Sequence, residues 1–324
     1  MRSIKLSSVA GLILHYKKEL DMQQKSMETK LQKLIDYELS EPTQLAYAKL
    51  LRKKSREIIT AEPSALEALM KLFDNIINAE EVETKPYELF RKQIIASLGY
   101  SKLRSDFYPR YFFKLGIKAC VYCNSQSTLS VKRTKIPGMD KTRIQGKFQV
   151  DHYISKNSYP CFSISLFNLY PVCGSCNNVK GTNKIDFLLY KSQSNTSSLQ
   201  FYLAKESHGR FLISRDPNDI IIGLKSLQKT LPPGFSDFAK LFEIEGIYEQ
   251  YKDVAEELIL KAEIYTPAYK LALLNSFSDF IKPENIDRLI TGNYTLEEDI
   301  HKRPLSKFVR DISKSIGLIK EDWA

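Results

Sequence analysis

The apolar positions of residues 1–118 recur at helical intervals. In Lys17–Glu38 they fall at Met22, Met27, Leu31, Leu34 and Ile35, among Lys, Glu and Gln. Pro42 opens a second helix through Leu45, Tyr47, Leu50 and Leu51 to Ile59, and Pro63 a third through Leu66, Leu69, Leu72, Phe73 and Ile76. Pro86 opens a fourth through Leu89, Phe90 and Ile94 to Gly99. Proline suits the first helical turn because its missing N–H has no partner there. These stripes predict a helical region whose apolar faces form a core. Phe107–Leu115, dense in aromatics and cations, is read as an apolar face leading onward in preference to a DNA-backbone surface.

The pattern then changes. Thr128–Val131 and Arg143–Val150 read as two strands of a hairpin around Pro137-Gly138, the second ending in Asp151 and His152. Ser163–Phe167 reads as a helical turn or loop, and a helix is expected from Asn177 onward, with Asn177 or Asn178 near its cap. Further on, Leu199–Leu203 and Phe211–Ser214 flank His208-Gly209 and predict a second hairpin. Phe238–Leu274 is helical and divided by Pro267, and helices follow Pro283 and Pro304. The fold class is therefore α+β. The expected division is a helical region 1–116, a small α/β unit 117–190 and a mainly helical region 191–324 with a short hairpin.

Composition excludes several classes. Apolar content of 43% and charged content of 27% are those of a globular chain. No run of eighteen apolar residues predicts a membrane span. Val9–Leu14 is a short apolar stretch with no small-residue cleavage pattern after it, so no signal peptide is expected. Five cysteines, four of them in two C-x-x-C pairs, fit a reducing, cytoplasmic compartment better than a disulfide framework. Cys161, the fifth, is read as a small buried hydrophobe. The net charge is +10, and residues 101–190 alone hold fourteen Lys or Arg against four Asp or Glu. The basic excess thus lies on the block that holds the cysteines, which points to a polyanion, a nucleic acid, as partner. Lys132, Arg133, Arg143, Lys147 and Lys180 are the candidate phosphate contacts.

The chemistry concentrates between Cys120 and Lys184. Cys120/Cys123 and Cys173/Cys176 are separated by 49 residues. Two thiolate pairs can complete a tetrahedral S₄ site for Zn²⁺, which leaves no open position and is therefore structural. A redox C-x-x-C is the alternative, but no thioredoxin-like βαβ unit surrounds either pair. Between the pairs stand Asp151 and His152, then Asn168, with Asn177 directly after the last cysteine. A carboxylate and an amide oxygen are hard ligands suited to Mg²⁺ or Mn²⁺, and an imidazole titrates near neutrality as a base requires. Adjacent residues on an extended segment point to different sides, so Asp151 can hold a metal while His152 faces a water. His15, His208 and His301 lack such surroundings and are read as surface or structural.

Asp151-His152-Tyr153, Asn168-Leu169 and Cys173-x-x-Cys176-Asn177-x-x-Lys180 resemble the motif of HNH endonucleases, in the form stapled by two C-x-x-C knuckles. The resemblance covers about a fifth of the chain and implies a ββα-metal core. It implies His152 as general base, Asp151 and Asn177 as ligands of the catalytic divalent metal, Asn168 as the residue orienting the hairpin, and the four cysteines as zinc ligands. Asn177 stands where many members have His, and Ser155 where many have Pro. The flanking helices more loosely resemble bacterial HNH proteins encoded beside ATPases in anti-phage defence systems. The expectation is a metal-dependent endonuclease acting on DNA more than RNA. A zinc-stapled binding module that does not cut, and an effector gated by a partner such as an ATPase, remain as alternatives.

Overall fold

The computed structural model describes residues 1–132, 144–192, 199–226 and 231–319. The N-terminal region holds α1 (Leu6–His15), α2 (Lys17–Tyr37), α3 (Pro42–Lys53), α4 (Ser55–Thr60), α5 (Pro63–Asp74), α6 (Ala79–Glu83) and α7 (Glu88–Ser97). A single turn, α8 (Tyr100–Lys102), then runs into the π-helical segment Leu103–Phe107 and α9 (Tyr108–Leu115). The expected second helix is two, because the backbone turns at Lys54 (φ −97°, ψ 13°) between α3 and α4. Pro86 sits inside a 3₁₀ turn, and the fourth helix proper begins at Glu88. Leu72 and Leu89, assigned to core stripes, are exposed, while Leu66, Leu69, Phe73, Phe90 and Ile94 are buried. Phe107, Tyr108, Tyr111 and Phe112 are also buried, so this aromatic stretch is core. Its Arg110 pairs with Glu19 and Asp106.

Among the described residues, eight short strands form four two-stranded sheets. β1 (Ile4–Lys5) pairs in parallel with β6 (Tyr190–Lys191). β2 (Leu129–Lys132) pairs antiparallel with β3 (Ile144–Lys147), and β4 (Gln149–His152) antiparallel with β5 (Leu169–Val172). The expected strand 143–150 is thus divided, and the strand carrying Asp151 and His152 takes its partner from residues 169–172. Phe148 makes the break: its ring packs edge-on against Phe112 at 5.5 Å, which turns the chain between the two ladders. Pro137-Gly138 lies outside the described residues. Helix α10 (Gly174–Lys180) starts at its N-cap Cys173, one turn earlier than expected, so Asn177 is a mid-helix residue.

The expected hairpin over 199–214 is a strand followed by a helix. β7 (Leu199–Leu203) pairs with β8 (Ile222–Ser226), and α11 (Lys205–Ser214) lies between them. Gly209 reads locally as a turn, but Ser207 and Phe211, four apart, are both buried, and that packed face outweighs the weak propensity of one glycine. The remaining helices are α12 (Phe238–Leu241), α13 (Ile244–Glu249), α14 (Lys252–Ile264), α15 (Pro267–Ser276), α16 (Pro283–Thr291) and α17 (Ser306–Ser315). No helix among the described residues is long and apolar enough to cross a membrane.

Residues from all three sequence regions join one hydrophobic cluster. Its seam runs through Asn124, the residue after the first knuckle, which is fully buried in a left-handed conformation (φ 56°). Its Nδ2 donates to the Ile300 carbonyl (3.0 Å), and its Oδ1 accepts from Lys307 N–H (2.9 Å). Its own carbonyl accepts from Leu305 N–H (2.7 Å). Asparagine visits this conformation more readily than other non-glycine residues. Asn124→Ala is expected to cost about 2–5 kcal/mol in urea unfolding, from two lost buried hydrogen bonds and a strained backbone. Asn124→Gly, which removes only the bonds, should cost about 1 kcal/mol less. Equal costs for the two variants would show that the backbone conformation carries none of the effect.

Candidate metal centre and catalytic site

The first knuckle is shaped by its backbone. Cys120 N–H donates to Gln126 O (2.8 Å) and Asn124 N–H donates to Cys120 O (2.9 Å), closing a tight loop that turns both thiols inward. The second knuckle is the N-terminal turn of α10. The four Sγ atoms of Cys120, Cys123, Cys173 and Cys176 all lie within 4.8 Å of one another. A tetrahedral S₄ zinc site, with Zn–S bonds of about 2.3 Å, needs sulfurs about 3.8 Å apart. The set therefore fits structural zinc. Two donors already point at the sulfurs: Cys173 N–H to Cys120 Sγ and Ser125 Oγ to Cys123 Sγ, each at 3.3 Å. Such contacts favour thiolates. Burial raises the Cys120 thiol, while hydrogen bonding within the cluster lowers Cys123 and raises Cys176. Cys161 stands apart, fully buried, its thiol pushed up by burial as suits a small hydrophobe.

Against the second knuckle, β4 and α10 bring the other predicted residues together. Asp151 is buried, with Tyr122 Oη donating to its Oδ2 (2.5 Å) and Lys180 Nζ 3.7 Å from the same oxygen. Burial raises its pKa, while Lys180, Tyr122 and the His152 N–H act to lower it. Lys180, expected to face phosphate at the surface, is instead 1% exposed and also donates to the His152 carbonyl (3.2 Å). Asn177 and Lys180 lie three residues apart on the helix side facing β4. Asn177 Nδ2 donates to Gln149 Oε1 (2.6 Å). That bond fixes the amide, so its Oδ1 is the atom left to act as a ligand.

His152 points to the other side of the strand. Its Nε2 lies 3.0 Å from the Ser163 carbonyl, and its ring 5.1 Å from that of Tyr100. A carbonyl only accepts, so Nε2 carries the proton and Nδ1 carries the lone pair. Burial, then the charges of Lys156, Lys180 and Arg104, lower the imidazole pKa to about 3, so it is neutral at physiological pH and does not titrate near neutrality, contrary to the expectation from sequence. Asn168, fully buried, holds the loop that leaves β4. Its Oδ1 accepts from Ile154 N–H (2.6 Å), and its Nδ2 donates to Ile154 O (3.0 Å) and Phe162 O (3.1 Å). The Asn168 carbonyl accepts from Tyr153 N–H (2.9 Å).

Of the other expected cations, Lys132 and Lys147 are exposed on the β2–β3 ladder, and Arg133 and Arg143 lie outside the described residues. His15 is exposed, His208 half-buried, and His301 buried with Nε2 donating to Arg2 O (2.7 Å). Two residues at the site were not legible in the sequence, Tyr122 and Gln149. Tyr122 lies inside the first knuckle, stacked on Phe242 at 4.7 Å, so the fold that gathers the cysteines also sets its hydroxyl against Asp151. Gln149 stands two residues before Asp151, a same-face position on a strand, and that spacing is the one signal that singles it out.

Chain purified without added metal is expected to hold about one zinc per molecule by atomic emission. Cys176→Ser should lose the zinc and lower the melting temperature markedly, because binding of a structural metal is coupled to folding. A metal-free chain whose stability Cys176→Ser leaves unchanged would exclude the centre. In comparisons with protein-family models, curated proteins and solved structures, nothing matches this chain.

Proposed function

We propose that the chain is a metal-dependent DNA endonuclease and that β4, β5 and α10 act as a ββα-metal unit. The observation that carries this reading is the state of His152. Its Nε2 proton is committed to Ser163 O, and the strand that bears it places Asp151 against a helix offering Asn177. In this reading Asp151 and the Asn177 Oδ1 would hold Mg²⁺ or Mn²⁺, hard cations matched to two hard oxygens. When bound, such an ion neutralises charge on the phosphate and on the leaving oxygen.

The residues of the chain supply the rest. His152 Nδ1 takes a proton from water as the water oxygen bonds to phosphorus and the P–O3′ bond breaks. Asn168 holds the loop after β4 and, through Ile154 and Phe162, the imidazole's surroundings. Tyr122 and Gln149 fix the Asp151 carboxylate and the Asn177 amide before any ligand arrives, which lowers the cost of ordering them. Lys180 keeps a positive charge beside Asp151. The exposed Lys132 and Lys147 suit contacts to phosphates farther along the duplex.

A gated form of the same reading has its own support. Asp151 and His152 are each only 6% exposed, so substrate has to displace the Tyr100 side of the cover. A partner such as an ATPase that moves the N-terminal region would supply that step.

Supercoiled plasmid is expected to be nicked or linearised in Mg²⁺ or Mn²⁺ and left intact in EDTA. His152→Ala should slow cleavage by about 10²–10⁴-fold, the range for loss of a general base. Full cleavage by that variant would remove His152 from the role. DNA binding without cleavage in any divalent metal would favour the gated form or the non-cutting module, which adding back a partner ATPase would separate.

A further inference from the structure

We propose that Arg104 and Lys156 form a second phosphate subsite beside His152, on the wall of a cleft supplied by the N-terminal helical region. This rests on the nuclease reading for its ligand, a phosphodiester of duplex DNA next to the one attacked. The cleft has a volume of about 420 Å³ and is lined by Tyr100, Ser101, Arg104, Gln145, Gly146 and Val150 among others. Val150 stands two residues before His152 on β4, and the Tyr100 ring separates the cleft from the imidazole. Lys156, on the loop after β4, sets its ammonium 5.0 Å from the centre of that same ring.

The charges carry the argument. Arg104 is exposed and Lys156 half-buried, and neither has an ion pair among the described residues. Arg110, two turns after Arg104, by contrast meets Glu19 and Asp106. Here two like charges flank one ring: Arg104 lines the cleft together with Tyr100, and Lys156 stands over the Tyr100 ring. Burial, then Arg104, lowers the Lys156 pKa, and the opposing acid acting on it is Asp151, which is already engaged by Tyr122 and Lys180. Such a pair is unfavourable until an anion enters between them.

The backbone presents Arg104 to this space. The π-helical segment Leu103–Phe107 buries Leu103 and Phe107 and leaves 104–106 on its outer side. Single π turns often accompany functional sites because they re-aim side chains that a regular helix would place elsewhere. The cleft has room for a phosphate with its sugar; Arg104 lines it, and Lys156 stands over the Tyr100 ring that forms part of its wall. The result is a DNA strand that runs from the Asp151–His152 site along the junction of β4 with the N-terminal region.

The test is fluorescence anisotropy of a labelled 20-base-pair duplex with the full zinc-loaded chain in EDTA, over a range of salt concentrations. Arg104→Gln and Lys156→Gln are each expected to weaken binding several-fold and to reduce the slope of log K against log salt by about one. Arg104→Lys should retain the slope, and Lys53→Gln, outside the cleft lining, should change neither quantity. Zinc content and melting temperature establish that each variant is folded. If both Gln variants keep wild-type affinity and slope, the subsite is overturned, whatever plasmid cleavage shows. If the slopes fall but wild-type chain cuts no DNA in any metal, the ungated nuclease reading fails and the phosphate subsite stands. A wild-type chain that binds no duplex removes both.

Discussion

The convergence of four thiols is the constraint on which the rest of this structure depends. Cys120 and Cys123 lie on a loop, and Cys173 and Cys176 at the start of a helix, with 49 residues between the pairs. Bringing their sulfurs within 4.8 Å fixes α10 against the first knuckle. Three further contacts follow from that one junction. Tyr122, held between two cysteines, reaches Asp151. The Cys123 carbonyl accepts from Tyr248 Oη (2.7 Å) and so ties the knuckle to α13. Asn124 joins it to the segment leading into α17. A dication in the centre would therefore order the candidate site and the C-terminal region together.

Buried charge is used in two ways. Lys270 meets Asp287 at 2.8 Å, and Lys307 meets Asp311 directly, pairs that join elements of the C-terminal region. Lys180 and Asp151 are also buried but stand 3.7 Å apart, with the ammonium closer to a backbone carbonyl than to the carboxylate. A loose buried pair gains less attraction against the same cost of leaving water. The tight pairs serve packing. The loose one spans two elements, β4 and α10, and shares its ammonium between the Asp151 carboxylate and the His152 carbonyl.

The N-terminal helices contribute more than a core. Their last segment, Tyr100–Leu115, packs its aromatic face inward through Phe107, Tyr108, Tyr111 and Phe112 and turns Arg104 and Tyr100 toward β4. Tyr100 covers the imidazole, and its burial with His152 keeps that ring neutral. The cover and the electrostatics of the His152 imidazole are thus set by an element some fifty residues upstream.

The four-cysteine set, the order Asp151, His152, Asn168, Asn177, and most helices of the N- and C-terminal regions are legible in the residues alone. Those signals are local: metal ligands recur at fixed spacing, Pro42, Pro63, Pro267 and Pro283 open helices, and apolar stripes repeat every three to four residues. Which strand pairs with the one bearing Asp151 follows from packing in three dimensions. Residues 129–132 and 169–172 are both strand-like, and the packing of Phe148 on Phe112 is a contact between distant segments. The helix in the 199–214 stretch is hidden from local pattern for the same reason, since the buried face of α11 exists only once its neighbours are in place. Lys180 shows the limit most clearly. A lysine at the end of a short helix reads as solvated, and it becomes an internal partner because β4 covers it and Asp151 lies beneath. Periodicity is written in neighbouring residues, whereas burial and charge pairing depend on which surfaces meet.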